Sequence, residues 1–118
     1  MLFRSRAHKE ALFFAAQNRE LANEWFREPE AARRLDPKII EETTAYDPQW
    51  RAQRLADIRL AFTPAELERY KEAARVAHEL KVTPRLSPVA ERTDMTVAIR
   101  LDQTPWAFDP KSVRLERR

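Results

Sequence analysis

Not one of the 118 residues is glycine. A glycine-rich phosphate loop, a dinucleotide-binding turn and the strained turn that carries a hydrolase nucleophile all need backbone angles that glycine alone adopts at low cost. Ordinary nucleotide-binding and hydrolase folds are therefore set aside. Cysteine is missing too, which removes disulfides, thiolate metal sites and cysteine nucleophiles together. Hydrophobic residues make up 43% and charged residues 35% of the chain. That balance places a modest core under a densely charged surface, in one domain's worth of protein with a tail.

Twenty-two Lys and Arg face nineteen Asp and Glu, a net charge of only +3. No run approaches the ~18 apolar residues of a membrane span; the longest covers residues 11–16. The segment Met1–Lys9 carries Arg4, Arg6 and Lys9 and no acid. Its composition is that of a mitochondrial targeting segment, although we read it as the basic start of a retained helix.

Proline punctuates a mainly α chain. Residues 6–27 read as one long helix with Ser5 as its cap. Ala7, Ala11, Phe14, Leu21 and Trp25 form one apolar stripe, which Leu12, Ala15, Ala22 and Phe26 widen. Phe13 falls on the opposite stripe, among Arg6, Glu10, Gln17 and Glu20. Asp36-Pro37 and Asp47-Pro48 each offer a carboxylate cap followed by a proline whose missing amide costs nothing at a helix start. They predict helices over 37–45 and 48–61. Thr63-Pro64-Ala65-Glu66 is a capping box and opens a helix running to Leu80. Its expected buried face is Leu67, Tyr70, Ala74 and Ala77, with Ala73 and Leu80 alongside, and the small residues there let another helix approach closely. Asp109-Pro110 marks a further independent turn, and the spacing of the three Asp-Pro steps fits no repeat period.

The character changes after Lys81. Pro84, Pro88, Pro105 and Pro110 make long helices improbable there. Met95, Val97, Ile99 and Leu101 alternate with Thr96, Ala98 and Arg100, which predicts a β-strand over 95–101. No second strand is evident, so this one calls for a short local partner or a strand from another chain. The expected organisation is a helical domain at 1–81 of about four helices, followed by an extended, proline-rich C-terminal arm at 82–118 holding one short strand.

Chemistry finds little foothold. His8 and His78 stand seventy residues apart, outside any HExxH spacing, and His78 suits a helix C-terminus as a simple cation. Glu20 and Glu24 lie on a polar stripe, and Ser5, Ser87 and Ser112 have no companion histidine. The chain is therefore read as non-enzymatic, with no catalytic, cofactor-binding or metal-binding residue. Phe3, Phe13, Met95, Val97, Ile99, Leu101, Trp106 and Phe108 are the candidate contacts to partner proteins, since aromatic and aliphatic anchors dominate interfaces. Contact with nucleic acid is the alternative, through Arg33, Arg34, Arg51, Arg54, Lys111, Arg114, Arg117 and Arg118. Acids are interspersed, however. Residues 41–80 carry six basic and eight acidic side chains, and no recognition helix concentrates the charge.

The expected role is a structural or accessory subunit of a larger intracellular assembly of protein subunits. An organellar or respiratory-chain complex, a ribosome-like particle and a virion all fit. The acid-free start favours a mitochondrial setting.

Overall fold

A computed structural model describes residues 2–116, and side chains from Arg4 onward. Among these residues the chain is mainly helical, with seven α-helices, three 3-10 turns and no strand. The helices are α1 Leu2–Gln17, α2 Arg19–Arg27, α3 Glu30–Arg33, α4 Pro37–Ala45, α5 Pro64–Glu79, α6 Val89–Arg92 and α7 Thr96–Gln103. The count exceeds the expected four because the long N-terminal helix is divided, the short α3 is added and the C-terminal segment holds two helices, while the helix expected over 48–61 is absent.

Local capping chemistry sets the boundaries of α4 and α5. Asp36 Oδ1 accepts from the Lys38 amide at 3.0 Å, with Pro37 in the first turn. In α5, the Glu66 amide donates to Thr63 Oγ1 at 3.2 Å. The Thr63 amide returns a bond to Glu66 Oε2 at 2.7 Å, completing the predicted box. Asp47 and Asp109 cap in the same way, each accepting from the amide two residues on, but the helices they start are only 3-10 turns, Pro48–Arg51 and Pro110–Ser112.

Three expectations are corrected. First, residues 6–27 are not one helix. α1 ends at Gln17, where the Asn18 side chain donates to the Phe14 carbonyl at 2.9 Å, and α2 restarts at Arg19. The bend changes the helical phase, and the buried stripe of α1 becomes Lys9, Phe13 and Ala16. Ala7 and Ala11 face outward, and Ser5 lies inside the helix instead of capping it.

Second, residues 48–61 are not a continuous helix. Asp57 Oδ2 accepts the amides of Gln53 and Arg54 at 3.0 and 2.9 Å, and Gln49 Oε1 accepts the Arg59 amide at 2.9 Å. These side chains satisfy donors that a helix would have satisfied through carbonyls. The segment also drives Ile58 to complete burial, in a core with Phe13, Ala16 and Ala52 and, partly buried, Leu12, Leu55 and Phe108.

Third, the alternating segment 95–101 is helical, not a strand. Asp94 Oδ1 accepts both the amide and the hydroxyl of Thr96, at 3.0 and 2.7 Å, and this turn starts α7. A lone strand leaves its ladder groups unpaired, whereas a helix satisfies them internally. Val97 and Leu101, four apart, then share the inner face, while Ile99 is exposed.

α7 and the turn at 110–112 lie against α1. By contrast, α5 packs chiefly against α6. None of its residues is fully buried; Leu67, Ala74 and Ala77 are half-covered, whereas Tyr70, Ala73 and Leu80, expected inside or alongside, are exposed. α5 closes with the Lys81 amide bonded to the His78 carbonyl and the Val82 amide to the Ala77 carbonyl, at 3.0 and 2.9 Å. This closure requires a left-handed residue, usually glycine. Lys81 takes that place with φ 58°.

Candidate functional site

The largest convergence of polar side chains joins α1 to the C-terminal segment. α1 presents Lys9 and Glu10 on one turn. Lys9 is 2% exposed, and its Nζ donates to Asp102 Oδ1 at 3.0 Å. Asp102 also accepts the Leu60 amide, 3.0 Å from each oxygen, and the Ala61 amide at 2.9 Å. One carboxylate thus ties together α1, α7 and the strap at residues 60–61 that leads into α5. Beside it, Trp106 Nε1 donates to Glu10 Oε1 at 2.8 Å, and the Arg6 guanidinium sits 5.1 Å from the indole centroid. Further along α1, Phe13 meets Phe108 edge-on, with ring centroids 6.3 Å apart.

This cluster is a clamp, and its chemistry is already satisfied internally. The ammonium has its carboxylate, the carboxylate has its amides, and no buried side-chain nitrogen or oxygen lacks a partner among the described residues. A small cavity of about 90 Å³ lies between Lys9, Leu101, Asp102 and Trp106. A wider, open cleft of about 610 Å³ runs between α1 and residues 59–62, with Arg4, His8 and Arg59 on its walls. Arg59 is committed there: both of its terminal nitrogens reach the Glu66 carboxylate, at 2.8 and 2.9 Å. Those bonds, with the Thr63 amide, hold the Glu66 carboxyl at about 2. The carboxyls of Asp57, Glu72 and Asp94 are also held below their ordinary range. Backbone amides of Gln53 and Arg54 act on Asp57, the Arg75 guanidinium on Glu72, and the Thr96 hydroxyl on Asp94. All these perturbations come from helix caps and ion pairs; Glu66 and Arg59 do line the open cleft, but the shift of each is caused chiefly by its pairing with the other. No group of three or more His, Cys, Asp or Glu close enough to hold a metal occurs among the described residues. His78 lies 3.3 Å from the Thr83 carbonyl through Nδ1, at the end of α5.

The candidate partner contacts divide sharply. Phe13, placed on the outer stripe by sequence, is 5% exposed and central to the core. Leu101 is equally buried, while Trp106 and Phe108 are half-buried against α1. Four of the candidates therefore hold this chain together. Met95 and Val97 are half-covered and Ile99 remains exposed; the side chain of Phe3 lies outside the described residues.

The basic candidates are not gathered. Arg33, Arg34, Arg51, Arg54, Lys111 and Arg114 are all exposed, yet they belong to four separate segments. Arg34 pairs with Glu30 and Arg54 with Asp57. Arg54 and Lys111 line one open cleft of about 740 Å³ that also presents Asp109. Arg117 and Arg118 lie outside the described residues.

Sequence reading missed Lys9 and Asp102. Ninety-three positions separate them, and neither carries a local motif. It also missed how much apolar surface stays uncovered. Trp25, Phe26, Leu35, Ile39 and Tyr46 are exposed around α2 and α4, with Tyr46 at 87%. Phe62, Tyr70, Val76, Leu80, Val82 and Leu86 are exposed around α5, with Leu80 at 70%. No helix of the described residues is long and apolar enough to cross a membrane. Comparison with protein-family models, curated proteins and solved structures gave no match.

Proposed function

We propose that this chain is a non-catalytic structural subunit of a larger multi-protein assembly, contacting its neighbours through exposed helical faces. One observation carries the reading. The chain exposes 9971 Å², whereas a compact monomer of 13.9 kDa exposes about 6,700 Å². Its radius of gyration is 17.1 Å, against about 13.5 Å for a compact domain of this length. The surplus exceeds the roughly 1,000–2,500 Å² that one partner contributes to a permanent interface, and the exposed side chains include Trp25, Phe26, Tyr46, Tyr70 and Leu80. The intracellular, organellar setting favoured by the acid-free segment Met1–Lys9 belongs to the same proposal.

The test is the native mass of the particle that contains this chain, measured on undisrupted material from its source. A particle several times 13.9 kDa with other protein chains in it supports the reading. A free monomer contradicts it. A salt-labile complex with RNA or DNA alone transfers the chain to the nucleic-acid alternative.

A further inference from the structure

We propose that the open cleft between α1 and residues 59–62 is a binding site for an organic oxyanion, a phosphate or carboxylate group carried on a small apolar or aromatic body. The site goes beyond the subunit reading above and does not depend on it.

The polar lining offers donors and keeps no carboxylate in reserve. Arg4 and His8 line the cleft from α1, and Gln49 lines it from the 3-10 turn Pro48–Arg51. Arg4 and His8 stand one turn apart, so they share one side of the helix. Neither belongs to an ion pair among the described residues. Gln49 spends its side-chain oxygen on the Arg59 amide, at 2.9 Å, and so turns its NH2 group to other acceptors. The one acid on the walls is Glu66. It is already filled by both terminal nitrogens of Arg59, at 2.8 and 2.9 Å, and by the Thr63 amide at 2.7 Å. Arg59 and Glu66 cancel, and Arg4 leaves the walls net positive. His8 adds a donor in either of its charge states.

The rest of the lining is apolar: Leu12, Leu60 and Ala98 are half-buried and Phe62 is exposed. At about 610 Å³ the cleft falls within the roughly 300–1,000 Å³ of small-molecule sites, which combine an apolar lining with a few orienting polar groups. A cation would meet Arg4 and find no uncommitted carboxylate, and a neutral ligand would gain no charge-assisted bond. The donor set therefore selects an anion, and the guanidinium fork matches the two-oxygen edge that phosphate and carboxylate share. The far wall is pre-formed. Its Leu60 and Ala61 amides are held by Asp102, and Arg59 is held by Glu66, so binding there orders little that is not already ordered.

Nuclear magnetic resonance of the full chain, titrated with phenyl phosphate and separately with benzoate, tests the site. At least one of the two should give saturable shifts concentrated at His8, Gln49, Ala61 and Phe62, and the tighter one identifies the head group. Benzyl alcohol, with the same ring and no charge, should give none. Arg4→Ala should weaken the tighter probe about tenfold, the scale of one charge-assisted hydrogen bond. Arg33→Ala removes the same charge from exposed α3 and should leave binding unchanged. Inorganic phosphate should bind several-fold more weakly than phenyl phosphate, and Phe62→Ala should narrow that gap. Three results overturn the proposal: no saturable shift with either anion, saturable shifts with benzyl alcohol, or equal weakening by Arg4→Ala and Arg33→Ala. None of them changes the mass of the native particle, so the subunit reading stands or falls on its own measurement.

Discussion

Lys9 and Asp102 are ninety-three residues apart in sequence and 3.0 Å apart in the fold. Their pair anchors the C-terminal segment on the first helix, and Asp102 simultaneously receives the amides of Leu60 and Ala61. Removing one member of a buried, hydrogen-bonded pair leaves the other uncompensated. Asp102→Ala, which strands both an ammonium and two amides, should cost about 3 kcal/mol or more. Lys9→Met keeps the apolar stem and leaves the carboxylate its amide donors, so it should cost clearly less. Denaturant midpoints of the two variants check the order, and equal losses would contradict the clamp.

Phe13 and Phe14 offer a second check. Phe13 is buried against Ala16, Ala52, Ile58 and Phe108. Phe14 is half-buried and stacks on Trp25, with centroids 6.2 Å apart. Phe13→Ala should lower stability by about 3–5 kcal/mol, the cost of a large-to-small change in a core, and Phe14→Ala by about half as much. The reverse order in a denaturant titration would restore the helical phase read from sequence.

The helical character, the Asp-Pro starts and the Thr63–Glu66 cap were legible because they are local: each signal and its consequence lie within four residues. The phase of α1 was not legible. It depends on Asn18 ending the helix and on Ile58 and Phe108 arriving to cover Phe13. The strand expected over 95–101 failed for a related reason. In a run of four apolar residues spaced two apart, Val97 and Leu101 also stand one helical turn apart. Only the missing strand partner and the Asp94–Thr96 turn decide between the two. Lys9 gave no sign of burial, because the carboxylate that makes burial tolerable lies at the far end of the chain. The exposed stripe of α5 escaped as well, since periodicity reveals an apolar face without revealing whether this chain covers it.

A glycine-free chain must close its helices with other residues, and Lys81 at φ 58° is the result. A left-handed non-glycine residue costs roughly 1–2 kcal/mol, partly offset by the greater chain entropy that glycine loses on folding. Lys81→Gly should therefore raise stability by about 0.5–1 kcal/mol. Lys81→Val, β-branched and harder to hold at positive φ, should lower it. Thermal unfolding of both variants measures this, and a destabilising glycine would contradict the helix closure described for α5.

Glu66 sets an acid limit on the start of α5. Its carboxyl is held at about 2, first by the Arg59 guanidinium and next by the Thr63 amide, against an ordinary value of 4.5. Because the folded value is the lower one, the contribution is fully present above 4.5 and is lost as pH falls toward 2. Stability should decline through that window, and Glu66→Gln should flatten the decline. Denaturant midpoints measured at several pH values test this; an unchanged slope in the variant would contradict the assignment.

The central claim is that the exposed apolar faces of the helices are covered by neighbouring subunits. Covalent footprinting of side chains, compared between the isolated chain and the native particle, tests it most directly. In the isolated chain Tyr46, Tyr70 and Leu80 should label readily and Phe13 and Ile58 poorly, as their exposures dictate. In the particle, Phe13 and Ile58 should stay protected while at least one exposed set, around Tyr46 or around Tyr70 and Leu80, becomes protected as well. Identical labelling of Tyr46, Tyr70 and Leu80 in both states would contradict the account.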